Sequence, residues 1–276
     1  MIGVMRSQAE KATLFRALHA RAGAFIIPNP WDIGAARILE HLGFQALATT
    51  SSGFAFSIGR CDGAVGRERM IAHVSEIASA TDLPVSADLE NGYGDSPEMT
   101  AETIRLAAAG GVVGGSIEDS TGNPETPIYD KNHAADRIRA AVEAAHSLPF
   151  LFTLTARAEN YLHGRPDLHD TIARLQAYQE AGADVLFAPG LANKDDIAAV
   201  VRSVDRPVNY LNGIRGVPFT LSELSELGVK RVSVGGSLCR AALGGFLHAA
   251  REMREHGTFN YVKDAASSQE ISAMFS

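Results

Sequence analysis

Three carboxylates stand where two successive apolar runs of the chain end. Asp88 and Glu90 follow the third such run, and Glu118 closes the fourth. If these runs are neighbouring parallel strands, the three side chains converge and repel one another unless some stay protonated. A hard divalent cation resolves that repulsion, so we predict Mg²⁺ on Asp88, Glu90 and Glu118, with waters completing its shell. For any one acid alone, helix capping or pairing with Arg157 is the alternative.

A cation and an anion cradle follow two other apolar runs. Arg157 follows the fifth run, and its planar guanidinium suits a substrate carboxylate. The alternative for Arg157 is a structural ion pair with Glu159 or Glu118. Ser52-Gly53 follows the second run and offers a hydroxyl and unobstructed backbone N–H groups, unless it is a plain turn.

Other polar residues near the same ends are candidates for substrate contact and proton transfer. Thr50 and Asn212 follow the second and seventh runs, and we predict that both contact substrate. Tyr161 is our predicted proton donor, with Tyr210 or water as alternatives. No histidine or cysteine occupies positions that match the carboxylates, so zinc is not expected.

The elements that must position these residues alternate regularly. The predicted strands are Ala24–Pro28, Ala46–Thr50, Pro84–Asp88, Val112–Glu118, Phe150–Thr155, Asp184–Ala188, Pro207–Leu211 and Arg231–Val234. The predicted helices are Ser7–Ala22, Ile33–Leu42, Arg67–Ala80, Thr100–Ala109, Ala134–Ala145, Leu168–Ala181, Lys194–Val204, Leu221–Leu227 and Leu238–Glu255. Continuous apolar strands favour a parallel sheet that is buried on both faces.

This count predicts an α/β fold, a (β/α)₈ TIM-type barrel with one extra N-terminal helix. The active site of such a barrel lies at the C-terminal ends of the strands, where the polar residues gather. An open doubly wound sheet is the alternative, but the glycine-rich dinucleotide turn that usually follows its first strand is missing. No linker divides the chain, so we predict a single domain over residues 1–276.

Composition narrows the class of protein further. The chain has 276 residues and a formal net charge of −7, without a basic run, which argues against nucleic-acid binding. Two cysteines cannot form a disulfide framework or a four-thiolate zinc site. No apolar stretch approaches a membrane span, and charged residues interrupt the N-terminus before any leader-like run. We therefore expect a cytoplasmic protein that binds small molecules and neither nucleic acid nor membrane.

Four ordered motifs resemble the isocitrate lyase/phosphoenolpyruvate mutase superfamily over nearly the whole chain. They are Ser52-Gly53 with the loop Ile58-Gly59-Arg60-Cys61-Asp62, then Asp88-Leu89-Glu90-Asn91-Gly92-Tyr93-Gly94, Ile117-Glu118-Asp119 and Ala156-Arg157-Ala158-Glu159. The resemblance implies Mg²⁺, or Mn²⁺ in its place, on the acidic cluster and a 2-oxo acid or its enolate on the metal. It also implies a catalytic role for Asp62.

One superfamily motif is missing from this chain. Superfamily lyases that cleave isocitrate or methylisocitrate carry Lys-Lys-Cys-Gly-His after strand four, whereas residues 120–131 here contain no cysteine. Cys61 lies in another loop and is not assigned the acid role. The lysine that the phosphorus–carbon branch places in this loop is not at its position either. The branch that remains contains 2-oxo acid decarboxylases and lyases.

Oxaloacetate illustrates the predicted chemistry. Loss of its C4 carboxylate as CO₂ leaves the enolate of pyruvate, whose charge a metal can stabilise, and this cleavage needs no cysteine acid. The alternatives are phosphonopyruvate hydrolase or mutase chemistry, a non-catalytic 2-oxo acid binding protein, and a phosphate-binding barrel that uses Gly235-Gly236-Ser237.

The C-terminal segment 238–276 is predicted to be helical. Its first helix carries an apolar stripe of Leu243, Phe246, Leu247 and Ala250 that must be buried. The resemblance implies that this eighth barrel helix is exchanged with a neighbouring subunit, in a homo-oligomer that is a dimer or a tetramer.

Overall fold

Eight parallel strands form a nearly closed barrel in the computed structural model, which describes residues 5–213 and 218–275. The strands are β1 (Phe25–Ile27), β2 (Leu47–Ala48), β3 (Val85–Asp88), β4 (Gly114–Glu118), β5 (Thr153–Arg157), β6 (Val185–Phe187), β7 (Val208–Leu211) and β8 (Arg231–Ser233). Their order is β1-β8-β7-β6-β5-β4-β3-β2. At the open seam, the Ala48 N–H donates to the Pro28 carbonyl at 3.0 Å. The predicted TIM-type fold is confirmed.

The helices alternate with these strands as predicted. They are α1 (Gln8–Ala20), α2 (Ile33–His41), α3 (Ser51–Ser57), α4 (Arg67–Ser79), α5 (Pro97–Ala109), α6 (Lys131–His146), α7 (Leu168–Glu180), α8 (Lys194–Arg202), α9 (Leu221–Glu226), α10 (Ser237–His256) and α11 (Ser268–Ala273), with a 3₁₀ helix at Asn260–Lys263. Side-chain caps begin most of them, for example Ser7 on α1, Asp32 on α2 and Asp130 on α6. All nine predicted helices are present within a few residues of their expected bounds.

Two local predictions differ from the structure. The segment after β2, for which we predicted an anion cradle or alternatively a plain turn, is the short helix α3, which the Thr50 hydroxyl caps by accepting from the Gly53 N–H. Strand β5 begins at Thr153 and continues to Arg157, later than the predicted Phe150–Thr155. The apolar run misleads here because Leu151 is exposed before the strand begins.

Strand alternation divides the molecule into an apolar layer and a polar interior. Ile117 and Leu154 face outward and are fully buried with Ile104 of α5 in the main core. Ser116 and Glu118, on either side of Ile117, face the barrel interior. A second cluster around Phe15 of α1 fills the N-terminal end of the barrel. The cavity that the strand-end residues line lies at the opposite end, where the strands finish.

The C-terminal segment contrasts with this filled barrel. Phe246 of α10 is 66% exposed and Phe259, beyond the helix, is 65% exposed. The helices of this segment agree with the prediction. Residues 1–4, 214–217 and 276 of the predicted 1–276 domain lie outside the described residues. In the ranges that the structure covers, we find no helix both long and apolar enough to cross a membrane.

Candidate active site

Most of the predicted acidic residues line one cavity at the C-terminal ends of the strands. This cavity has a volume of about 1050 Å³, and Asp62, Glu90, Glu118 and Arg157 are among the residues that line it. Asp88 lines a smaller adjoining cavity of about 150 Å³, which also reaches Arg157 and Asp62. The three predicted metal ligands thus lie close together at two adjoining cavities, as the strand-end argument requires.

Arg157 is the hub of the cluster. Its Nη1 lies 3.0 Å from Asp88 Oδ1, its Nη2 lies 3.1 Å from Glu118 Oε2, and its Nε lies 2.8 Å from Glu159 Oε1. Burial disfavours the charged guanidinium, but attraction by these three carboxylates raises the pKa of Arg157. Each nitrogen of Arg157 already pairs with a protein carboxylate. This arrangement matches the alternative stated above, in which Arg157 forms structural ion pairs with Glu159 or Glu118.

Negative charge remains in excess around that single arginine. Burial, followed by repulsion from Asp88, raises the pKa of Asp62 and lifts that of Glu90 to about 7. Burial likewise raises the pKa of Glu118 well above its ordinary value, despite Arg157. A bound cation would remove this penalty by favouring the ionised carboxylates.

A strained turn carries two of the cavity residues. Glu90 and Tyr93 both have positive φ, at 49° and 60°, where non-glycine residues are uncommon. Arg137 of α6 holds this turn by donating to the carbonyls of Asn91 and Gly94. Such strain typically persists where the surroundings enforce it for function. Here it aims two side chains into the cavity.

Both of those side chains end in polar atoms that the protein leaves unpaired. Glu90 Oε1 and the Tyr93 hydroxyl are buried without a hydrogen-bond partner among the described residues. An unpaired buried acceptor beside two further carboxylates is a fitting donor for a hard cation.

No preformed ion cage is present, however. Across residues 5–213 and 218–275, no three His, Cys, Asp or Glu side chains are grouped closely enough to hold a metal as they stand. Arg157 accounts for this, since it draws Asp88 and Glu118 toward its own nitrogens. Mg²⁺ commonly uses one or two direct carboxylates and several waters, so the residues fit that mode.

The N-terminus of α3 forms one wall of the smaller cavity. The Ser51 N–H donates to Asp88 Oδ2 at 3.0 Å, and the Thr50 hydroxyl lies 3.1 Å from the Ser52 hydroxyl. The Gly53 N–H donates to Thr50 at 3.2 Å instead of facing the cavity. Gly53 is required by packing, because a Cβ there would lie 2.9 Å from the Cβ of Trp31.

Two predicted site residues are placed elsewhere. Tyr161 is absent from the described lining of both cavities, and its hydroxyl interacts with Asp196 of α8. The Asn212 amide donates to the Phe219 carbonyl at 2.7 Å, and Asn212 does not line either cavity in the described structure. Tyr210, the alternative donor, gives its hydroxyl hydrogen to the Leu191 carbonyl.

Three residues of the site were not among those predicted to bind metal or substrate or to act in catalysis. Glu159 lies two residues beyond Arg157, so strand alternation would have placed both on one face. Tyr93 was identified only as part of the Asp88–Gly94 motif. Its role in the cavity could not be predicted, because its orientation depends on the strained turn. Arg231 of β8 lines the smaller cavity. The signal that could have identified it is the presence of a charged residue in an otherwise apolar predicted strand.

Comparisons with known proteins agree with this geometry. The phosphoenolpyruvate phosphomutase family model matches residues 15–254. A candidate lyase/mutase from Burkholderia cenocepacia J2315 has a crystal structure 60% identical to this chain, with a TM-score of 0.96 over 98% of this chain and 96% of its own. The 2-methylisocitrate lyase of Escherichia coli (strain K12) is 28% identical over 91% of this chain and 86% of that protein. The 2,3-dimethylmalate lyase structure is 26% identical, with a TM-score of 0.85 over 98% of this chain and 95% of that one.

Proposed function

The chain belongs to the phosphoenolpyruvate phosphomutase family, within the isocitrate lyase superfamily, and on that premise we propose that it is a Mg²⁺-dependent lyase of a small 2-oxo carboxylate. The reaction proposed is carbon–carbon cleavage of the oxaloacetate decarboxylase type, through an enolate. Two relatives named as lyases, 2-methylisocitrate lyase and 2,3-dimethylmalate lyase, support the reaction class.

The observation that carries the proposal is a cavity with an acidic cluster around Arg157 and no thiol in its described lining. Asp88, Glu90 and Glu118 surround the opening, whereas neither cysteine is among its described lining residues. Cys61 is exposed on its loop, and Cys239 is buried at the start of α10. Cleavage that releases CO₂ requires no thiol acid, whereas the superfamily lyases that use one carry it in the loop after strand four.

Asp88, Glu90 and Glu118 would hold the metal ion. When bound, Mg²⁺ would supply Lewis-acid stabilisation of the negative charge that develops on the keto oxygen. Arg157 orients Asp88 and Glu118, and Ser51 fixes the second oxygen of Asp88. In the oxaloacetate case the C3–C4 bond breaks, its electron pair enters the enolate, and CO₂ departs.

A proton must then reach C3 to give pyruvate. The Tyr93 hydroxyl is buried in the cavity lining without a partner, and burial raises its pKa well above the ordinary value. The phenol therefore stays protonated at neutral pH, the state a donor requires. Tyr93 has better access than Tyr161, so we place it first as donor. Tyr93→Phe should lower kcat more than tenfold while preserving oxalate binding.

The test is turnover of oxaloacetate, followed as CO₂ and pyruvate, with Mg²⁺ added and then removed by chelation. We expect turnover to require the metal and to be inhibited by oxalate, which resembles the planar enolate. Tight oxalate binding without turnover of any 2-oxo acid would identify a binding protein instead.

The matching family model favours phosphorus–carbon chemistry as the second candidate. In that case the protein would convert phosphonopyruvate in the same acidic cavity. Phosphate release from phosphonopyruvate, at a rate above oxaloacetate turnover, would select it.

The exposed apolar face of α10 supports a homo-oligomer that exchanges this helix. Leu243, Phe246 and Leu247 are 37%, 66% and 47% exposed in the single chain, and burying them would recover roughly 25 cal/mol per Å². Light scattering should give a dimer or tetramer, and Phe246→Glu should lower the mass. A wild-type monomer at micromolar concentration would contradict this. The cytoplasmic location stays a prediction.

A further inference from the structure

The barrel interior beneath the acidic cluster is unusually polar. Barrels of this type are normally filled by bulky branched side chains. Here buried small polar side chains line the cavity of about 150 Å³ instead, namely Ser86, Ser116, Asn209 and Ser233. The space left by these residues runs from Asp88 and Arg157 to Arg231 on β8.

Arg231 is a buried cation that pairs with no carboxylate of the described residues. It is 5% exposed, its Nε donates to Asn209 Oδ1 at 2.9 Å, and its Nη2 donates to Thr155 Oγ1 at 2.9 Å. Its Nη1 is buried with no hydrogen-bond partner among the described residues. Burial lowers the pKa of Arg231 to about 9, so the guanidinium is still protonated at neutral pH. An uncompensated buried charge is costly and calls for an anion.

Arg157 is less available than Arg231 to bind the carboxylate of a ligand. All three of its nitrogens pair with protein carboxylates, whereas Arg231 has donors to spare. A carboxylate is planar and matches the guanidinium fork of Arg231. Asp88 and Arg231 line the same cavity, so one small molecule in it could be held at both ends.

We infer that Arg231 is a specificity-determining residue that binds the distal carboxylate of a 2-oxo dicarboxylate whose keto end lies at the Asp88 cluster. This rests on the proposed function for the keto end and deepens it by naming the substrate class. Thr155 and Asn209 act as positioning residues, since they fix two nitrogens of Arg231 and leave Nη1 to the ligand.

The test compares ligands that differ only in the distal carboxylate. Binding of the 2-oxo dicarboxylates of four and five carbons, and of the 2-oxo monocarboxylates of the same lengths, is measured by calorimetry with Mg²⁺ present. A charge-assisted hydrogen bond of this kind corresponds to about a 10- to 100-fold preference. We expect the wild type to prefer at least one dicarboxylate by tenfold or more over its matched monocarboxylate.

Arg231→Met should reduce that preference to within about twofold while changing monocarboxylate affinity by less than about threefold. Lys230→Met is the matched control, because Lys230 is the preceding residue and bonds the carbonyls of Arg21 and Gly23 outside the cavity. It removes the same charge and should preserve the preference. Arg231→Lys, which retains a cation, should preserve part of it.

The outcomes separate this inference from the proposed function. A wild type that binds matched pairs equally, or an Arg231→Met variant that folds and keeps the preference, overturns the Arg231 subsite even if Mg²⁺-dependent turnover is intact. Equal loss of both ligand classes in a folded Arg231→Met variant also overturns it, because the role would then be structural. If neither class binds the wild type, both the subsite and the proposed function fail.

Discussion

Two carboxylates that are adjacent in sequence, Glu118 and Asp119, belong to two very different clusters. Glu118 faces the cavity and shares Arg157 with Asp88 and Glu159. Asp119 points away from the cavity and is 2% exposed. It accepts from Arg174 at 3.0 Å, from the Tyr178 hydroxyl at 2.6 Å and from the Glu159 N–H at 2.8 Å.

The difference lies in how completely each cluster is satisfied. In the cluster of Asp119, Arg174 and Asp170, both carboxylate oxygens of Asp119 accept hydrogen bonds. Asp170 is a second carboxylate that pairs with Arg174. Around Arg157, five carboxylates gather, of which Asp88, Glu118 and Glu159 pair with it, whereas Asp62 and Glu90 form no ion pair among the described residues. A complete ion-pair network stabilises a fold, whereas an incomplete one leaves charge for a ligand. Burial alone would not have separated the two.

The largest expected effect tests the incomplete cluster. Asp88→Ala should lower Mg²⁺-dependent turnover by roughly a thousandfold or more, because metal stabilisation of developing charge supplies several kcal/mol. Mg²⁺ affinity by calorimetry should fall with it. Asp136→Ala, which removes an exposed carboxylate on α6, is the control and should change neither quantity. Unchanged Mg²⁺ affinity in Asp88→Ala would remove the basis of the site assignment.

The two adjacent acids should respond in opposite ways to the same isosteric change. Asp119→Asn should reduce the free energy of unfolding by about 3–5 kcal/mol, because it removes the buried carboxylate of Arg174 and leaves only the more exposed Asp170 as its ion-pair partner. Glu118→Gln should change that free energy by less than about 1 kcal/mol, since charge is already in excess there, yet lower turnover at least tenfold. Denaturant unfolding and steady-state rates measure both. Equal losses of stability in Asp119→Asn and Glu118→Gln would contradict the proposed difference between the two clusters.

The excess charge also predicts a pH dependence of stability. The pKa of Glu90 is about 7 in the fold and ordinary in the unfolded chain, so the folded state binds the extra proton below pH 7. Without metal, the free energy of unfolding should therefore rise by about 1 kcal/mol as pH falls from 8 to 6.5. Glu90→Gln should abolish this rise. Its persistence in that variant would assign the proton to another group.

The smallest effect concerns the thiols, which lie outside both clusters. Cys61→Ser should change turnover by less than about twofold, because Cys61 is exposed and is not in the described lining of either cavity. Alkylation of the native protein should be equally harmless. Loss of activity on alkylation, restored by Cys61→Ser, would show that this loop contributes to catalysis.

Much of the fold and part of the site could be predicted because they depend on local pattern. Alternating apolar and amphipathic runs gave eight strands close to their true positions, and parallel strands must end on one side. Asp88, Glu90, Glu118 and Arg157 were therefore predicted to be neighbours, and they are. Tyr161 is the counterexample, because a residue just past a strand end is free to turn toward α8.

By itself, the sequence determined the barrel, the acidic strand ends and the absence of a thiol in the loop after strand four. Only the tertiary structure decided which charges are compensated. Arg157 pairs with three carboxylates, Arg137 holds the turn that contains Glu90, and Arg231 Nη1 has no partner among the described residues. The physical reason is that pairing depends on distances of about 3 Å between residues far apart in the chain, which no local pattern encodes.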